Sequence, residues 1–404
     1  MRRLLLAALL LPPAALAETL DGISFEAPAG WQRQEQRGGL VFTRPLPAEP
    51  GRRAARPGNA MIVLRRPGPA TGDFEAAMNG WARAPEQLAE ARPRRRDGET
   101  LEGGRFRIEE RSGSRPTLRA VHIGLEQQGR RVLLALLLVN PPREAGRAAR
   151  QDFAAMVRSL RLNGDGRGFV LDPPRGGGAK LEGHFTRMQT GVVPNAFGGM
   201  DFRADMRSLT FSPDGLFRSD PPAAQSLAEA CAAEPRGCGT YTLSGGTITL
   251  REVEDEFGRV SRRTLPIARQ SNGITLDGAN WRRVEPFAPG TRLDGLWRHT
   301  FASSGSTAFS SGSVAVERSL ALSRDGSYRR TGWSGASSTS EVGGGRSGVT
   351  TSAPRRDSSG RYELSGHVLL LRDEAGREER LSIFRGDPDS ENLLVINGQN
   401  YLRR

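Results

Sequence analysis

Lysine is almost missing from this chain: Lys180 is the single one among 58 basic residues, so arginine supplies the other 57 (58 − 1). With abundant Gly, Ala and Pro, that imbalance reads as codon bias in a GC-rich genome as much as selection for charge. Gly177 precedes Lys180 by three residues and no Ser or Thr follows it directly, which excludes a P-loop and an S-x-x-K dyad. Aromatic residues make up only 6%, too few for the stacking platforms that hold single strands. The arginines are scattered, with Arg94-Arg95-Arg96 the longest run, so a net charge of +13 is not read as nucleic-acid binding. Beyond the N-terminus the longest apolar run is Val132 to Val139, which has strand length; a membrane-crossing helix needs about 20 residues. The four histidines, His122, His184, His299 and His367, show no H-x-x-x-H spacing and read as surface or satisfied core residues.

What the chain has first is an export signal. Arg2 and Arg3 form a charged start, Leu4 to Leu11 an apolar stretch, and Ala15-Leu16-Ala17 an A-x-A cleavage site before Glu18. No cysteine follows, so the lipoprotein route is closed. Residues 1–17 are therefore expected to be a signal peptide, the mature chain to carry +11 (13 − 2), and the protein to be periplasmic or secreted, with no transmembrane segment after signal removal. In an oxidising compartment the two cysteines, Cys231 and Cys238, are expected to form a local disulfide.

Residues 18–162 mix strands with two helices. Strand candidates are Ile23–Phe25, Leu40–Phe42, Ala60–Leu64, Arg105–Glu110, Leu118–Glu126 and Arg131–Val139. Asp73 is a helix N-cap, followed by Phe74, Met78, Trp81 and Leu88 on one stripe, with Pro85 placed to kink or split the helix. A second helix puts Phe153, Met156, Val157 and Leu160 on one face, the spacing of a helix lying on a sheet. The opening Phe25-x-x-Pro28-x-Gly30-Trp31, with this order of elements and a closing Ser159-Leu160-Arg161, resembles PsbP/Mog-like domains. That resemblance implies an accessory or binding role and supplies no catalytic residue. A Gly-, Pro- and Asp-rich linker is expected over 163–180.

The remainder is a duplication, with expected bounds 181–289 and 290–404. Arg207 to Arg218 (RSLTFSPDGLFR) returns as Arg318 to Arg329 (RSLALSRDGSYR). In the same order Leu181 to Phe185 matches Leu293 to Trp297, Gly239 to Gly245 matches Gly360 to Gly366, and Gly278 to Trp281 matches Gly398 to Tyr401. A repeat of this length is a duplicated domain rather than a solenoid unit. Asp-Gly and Asn-Gly turns between alternating apolar residues predict hairpins. Some eight antiparallel strands per copy then close most economically into a barrel. The fold class read is thus an α+β N-terminal domain, an antiparallel sheet with two helices, followed by an all-β pair of eight-stranded antiparallel barrel-like domains. Gly295-x-Trp297, and Gly183-x-Phe185 in the other copy, resemble lipocalin-like (calycin) barrels. The resemblance implies that the tryptophan plugs one end beneath a late arginine, Arg403 or Arg404, with Arg282 or Arg283 in the first copy. Phe185, Phe217, Tyr241 and Trp281, with Trp297, Tyr328, Tyr362 and Tyr401, read as a shared core layer. The long connections, Ser219 to Cys238 and the Ser/Gly-rich Thr331 to Ser359, read as loops, the second as a solvated one.

Chemistry is scarce. Gly332-Trp333-Ser334-Gly335-Ala336 approaches a G-x-S-x-G elbow but lacks the final glycine. Glu252, Glu254 and Glu256 would share a strand face as a weak calcium site, although a solvated hairpin end is the plainer reading. No catalytic, metal-binding or cofactor-binding residue is nominated, and no cofactor is expected. The function read is a non-enzymatic exported binding or scaffolding protein whose target is a protein or a small apolar molecule. Alternatives are an arginine-rich binder of anionic envelope surfaces or polymers, and an extracytoplasmic hydrolase.

Overall fold

The computed structural model describes residues 17–48, 57–83, 85–114, 117–162, 169–171, 181–220, 222–224, 226–306, 310–342, 345–354 and 357–404. The expected signal peptide up to residue 16 and most of the 163–180 linker, Lys180 included, lie outside the described residues. The chain forms two compact units, one of Met1–Leu171 with Val253–Arg262, the other of Asp172–Glu252 with Arg263–Arg404.

The first unit opens with a hairpin, β1 (Ala17–Leu20) and β2 (Ile23–Glu26). There follow β3 (Gln32–Gln36), β4 (Gly39–Leu46), β5 (Gly58–Arg65), β6 (Gly68–Pro69) and α1 (Phe74–Ala82). Then come β7 (Arg94–Glu99), β8 (Arg105–Ser114), β9 (Thr117–Gln127), β10 (Arg130–Val139) and α2 (Arg143–Ser159). The sheet runs β7-β8-β9-β10-β5-β4-β3, with β6 on β10. Its neighbours are antiparallel throughout.

Strand β10 explains the layering. Successive side chains alternate between faces, so Val132, Leu134, Leu136 and Leu138 enter the core under α2, with Phe153, Met156 and Val157. Leu133 faces α1, packing with Phe74 and Met78. A strand buried on both faces is a continuous apolar run, as the sequence has here. Asp73 caps α1 by accepting from the amides of Glu75 and Ala76. Gly124 lets the helix close on β9: a Cβ there would lie 2.3 Å from the Met78 sulfur. Pro85 splits the expected longer helix, and Glu86–Leu88 continues as one 3-10 turn. Strands β3 and β7 escaped the sequence reading because Gln32–Gln36 is wholly exposed and Arg94–Glu99 carries no buried apolar residue.

The segment Val253–Arg262 overturns the picture of a solvated hairpin end. Phe257 is buried in the first unit's core, edge-on to Phe153 at 5.8 Å. Glu256 receives a 2.7 Å hydrogen bond from Arg150, and buried Asp255 pairs with Arg259 at 2.9 Å. An acidic run reads as solvated only when its intervening apolar residues, here Val253 and Phe257, are overlooked.

In the second unit the first repeat comprises β11 (Gly183–Pro194), β12 (Met200–Phe211), β13 (Leu216–Arg218) and α3 (Leu227–Ala233). It continues with β14 (Cys238–Ser244), β15 (Thr247–Val253), β16 (Val260–Gln270), β17 (Gly273–Leu276) and β18 (Ala279–Val284). The order β15-β14-β13-β12-β11-β18-β17-β16, closed by β15 on β16, is an eight-stranded antiparallel barrel. The second repeat comprises β19 (Gly295–Ser306), β20 (Ser310–Leu322), β21 (Ser327–Val342), β22 (Gly345–Pro354) and β23 (Ser358–Ser365). After them come β24 (Val368–Asp373), β25 (Glu378–Asp387), β26 (Ser390–Ile396) and β27 (Gln399–Arg403). Pairing of β20 with β21 closes a second ring of eight strands, and β22 extends β21.

That last pairing corrects the reading of 331–359 as a solvated loop. Trp333 to Val342 pairs residue by residue with Gly345 to Pro354, and hydroxyls cross the neighbouring ladder, as between Ser313 and Ser337 at 2.8 Å. Small residues on both faces erase the apolar alternation from which a strand is recognised. Gly343-Gly344 and Arg355-Arg356 lie outside the described residues.

Candidate functional site

The two repeats share a latch at the residue level. The Tyr241 hydroxyl accepts from the Leu181 amide (2.9 Å) and lies 2.7 Å from the Leu181 carbonyl and 3.0 Å from that of Ser212. Tyr362 repeats this with the Leu293 amide (2.8 Å), the Leu293 carbonyl (3.0 Å) and the Ser323 carbonyl (3.1 Å). Burial pushes both phenols up from their ordinary pKa. Each tyrosine ties the start of its repeat to the Asp-Gly turn, and apolar side chains fill both interiors. Phe185, Phe211, Phe217 and Ile248 lie in the first core, and Trp297, Leu322, Leu364 and Ile383 in the second. Arg403 lies over the Trp297 ring at 5.4 Å. Among the residues read as a core layer, Trp281 is only partly buried, and Arg187 lies over its ring at 5.2 Å.

Where the repeats meet, Met206 and Val284 of the first pack on Phe384 and Val395 of the second. His184 stands there, its ring 4.7 Å from those of both His367 and Phe384. Its Nδ1 meets the Thr210 hydroxyl at 2.9 Å, while Nε2 is buried without a partner. Burial, with His367 beside it, pushes His184 down to about 3. Both rings are therefore neutral near pH 7. His299 contacts the Asn400 carbonyl at 3.0 Å, and His122 lies edge-on to Trp81.

No described group of three or more His, Cys, Asp or Glu could hold a metal ion. Glu252 is turned to Arg263 (2.6 Å), Glu254 to the Ser261 hydroxyl (2.5 Å) and Glu256 to Arg150, so the three carboxylates do not form one cluster. Ser334 sits mid-strand in β21 opposite Val316 and Ala353, without the elbow a nucleophile needs. Cys231 of α3 and Cys238 of β14 are bonded, with Cα atoms 5.7 Å apart.

Two concavities lie on the α1 face of the first unit's sheet, on lining residues to which the sequence reading gave no functional role. Residues 85–93, including the 3-10 turn, cross this face as a strap. Leu88 anchors it among Leu118 and Ala120, above Gly113, where a Cβ would lie 3.1 Å from a Leu88 methyl. Arg111 clamps it: its Nη1 donates to the carbonyls of Leu88 (3.2 Å), Ala89 (2.9 Å) and Ala91 (3.1 Å). The other side of that guanidinium donates to Glu109, a fully buried carboxylate that also receives Arg95 at 2.8 Å. A buried carboxylate between two guanidiniums is the paired state that makes burying charge tolerable.

One hollow is an apolar cleft of about 260 Å³ lined by Met61, Leu118, Leu137, Val139 and Pro85, with the amides of Asn59 and Gln87 as its polar groups. Leu137 lies opposite Met61 and Val139 opposite Asn59 across the β10–β5 ladder. These are the same β10 residues that the period-two argument turns away from α2, and the strap covers them only in part. The other hollow, about 520 Å³, is lined by Asn79, Arg83, Glu90, Arg92, Arg95 and Arg111 among others. A hollow of about 270 Å³ also lies at the Ser244-Gly245-Gly246 turn of the first barrel.

No family model and no curated protein matches the chain. Among solved structures it is similar to PA94, a protein of unknown function from Pseudomonas aeruginosa, at 18% identity over 34% of this chain and 93% of that one. The TM-score of that pair is 0.20.

Proposed function

We propose that this protein is a non-enzymatic binding protein, exported by its bacterium, whose N-terminal unit holds a small apolar molecule in the cleft beside the strap. The cleft's composition carries the reading. Four aliphatic or thioether side chains and a proline form its walls, and its only side-chain polar groups are two amides. Amides donate and accept hydrogen bonds but neither attack nor transfer protons near neutral pH, so such a lining suits retention rather than turnover. About 260 Å³ is close to the lower end of ligand pockets, roughly 300–1,000 Å³, which favours a compact ligand.

The finer family reading belongs to this proposal. Buried Phe25 and Trp31, with Gly30 at a φ of +76°, support the PsbP/Mog-like opening. Arg403 over Trp297 supports the lipocalin-like one. Filled barrel interiors favour a protein partner over ligand carriage for the second unit. Export rests on residues 1–17 and places the mature protein in the periplasm or outside the cell.

Titration calorimetry with 1-octanol tests the cleft. The mature chain gives saturable one-site heat, and Leu137→Trp, which fills the cleft, abolishes it without lowering the melting temperature. Absence of saturable heat from the unaltered chain overturns the reading.

A further inference from the structure

The second hollow on the same face has the opposite chemistry. Four guanidiniums, of Arg83, Arg92, Arg95 and Arg111, face it or line it. The carboxylates set against them are Glu90 at the rim and Glu109 beneath, leaving a local excess of +2 (4 − 2). The four are not equivalent. Arg111 and Arg95 are held by Glu109, and Asn79 accepts from Arg95 at 2.9 Å. Arg83 and Arg92 are exposed, and among the described residues no carboxylate pairs with either. The hollow is thus a fixed basic floor with two uncommitted guanidiniums at its rim.

We infer that this hollow is a binding site for a multivalent oxyanion, of the pyrophosphate or tricarboxylate class. Guanidinium forks match phosphate and carboxylate edges with paired, charge-assisted hydrogen bonds. The excess positive charge round this hollow is relieved when an anion enters. A single small charge would satisfy one rim arginine and leave the other, whereas an anion with charge at both ends engages Arg83 and Arg92 together. The strap backbone is pinned by Arg111, so the hollow's shape is set before the ligand arrives, which limits the ordering cost of binding. The site is separate from the apolar cleft and stands or falls independently of it.

The test is calorimetry of the mature chain with pyrophosphate and, separately, citrate, against sodium chloride at matched ionic strength. The inference expects saturable one-site binding of at least one of the two, with none in chloride alone. The double variant Arg83→Gln/Arg92→Gln weakens that Kd at least about tenfold, the factor that corresponds to one lost charge-assisted hydrogen bond. Both substituted residues are exposed, so the fold is kept. A control, Arg203→Gln/Arg207→Gln on β12, leaves the Kd unchanged. Pyrophosphate alone marks a phosphoryl ligand, citrate alone a carboxyl one. Binding that both double variants weaken equally, or that neither weakens, overturns the assignment in favour of diffuse attraction to an arginine-rich surface, as does no binding at all. Octanol heat retained by the Arg83/Arg92 variant separates this outcome from failure of the cleft.

Discussion

Single side chains decide more here than composition suggests. Tyr241 and Tyr362 make the same three contacts a repeat apart, so removing either hydroxyl strands a buried Leu181 or Leu293 amide. Leaving such a donor unsatisfied costs roughly 1–3 kcal/mol. Tyr241→Phe and Tyr362→Phe are each expected to lower the unfolding free energy by about that much in urea titrations, and losses below about 0.5 kcal/mol would contradict the latch. His184 gives a pH signature. Its pKa in the folded protein, about 3, lies below the roughly 6.5 of an unfolded chain, so between those values the unfolded state binds the extra proton. Stability contributed by this residue is therefore complete above about pH 6.5 and is lost as pH falls towards 3. His184→Gln should flatten the acid limb of a melting-temperature profile between pH 7 and 4; an unaltered limb would show that other groups set it.

Among the elements, ribbons and straps carry what the barrels do not. Hairpin β11–β12 exposes Met188, Val192, Met200 and Phe202, while its turn packs on the second repeat: a Cβ at Gly312 would lie 2.4 Å from the Phe197 ring. Gly312→Val is thus expected to destabilise by about 1–3 kcal/mol, the usual range for overpacking, whereas Phe202→Ser, at a side chain 70% exposed, should stay within about 0.5 kcal/mol. Paired chemical denaturation curves would refute this if their order were reversed. The elements with apolar alternation were legible from sequence: β10, α2, the split at Pro85 and the Asp-Gly hairpins. Those without it were not. Ser337 to Ser340 gave no period, and β7 hid behind three arginines. The candidate site was hidden for another reason. Leu137 and Val139 were visible as strand residues, but that the strap would leave them only partly covered depends on Leu88 meeting Leu118 and Ala120 of β9, and on Arg111 of β8 meeting the strap's carbonyls, across 20 or more positions of sequence. Arg83 and Arg92 looked like two more of 57 arginines; the signal that singles them out, their place on one hollow with Arg95 and Arg111, exists only in three dimensions.

For the molecule as a whole, duplication built the second unit, and the evidence of it reaches individual hydrogen bonds. Apolar side chains pack inside both barrels, and no described helix is long and apolar enough to cross a membrane. The open cleft lies in the unit that was not duplicated. The net charge of +13 is the arginine excess that remains after ion pairing, and many of the pairs lie at the surface, where each contributes little to stability. Charge argues for a partner only where arginines without an ion pair gather round one hollow, as Arg83 and Arg92 do at the strap. The most direct test of the central claim is native mass spectrometry of the mature protein, taken gently from its host's exported fraction, beside Leu137→Trp prepared in the same way. The account predicts a discrete extra mass on the unaltered protein that disappears on denaturation and is absent from the variant. The same extra mass on both proteins, or a clean apo mass on the unaltered one, would contradict it.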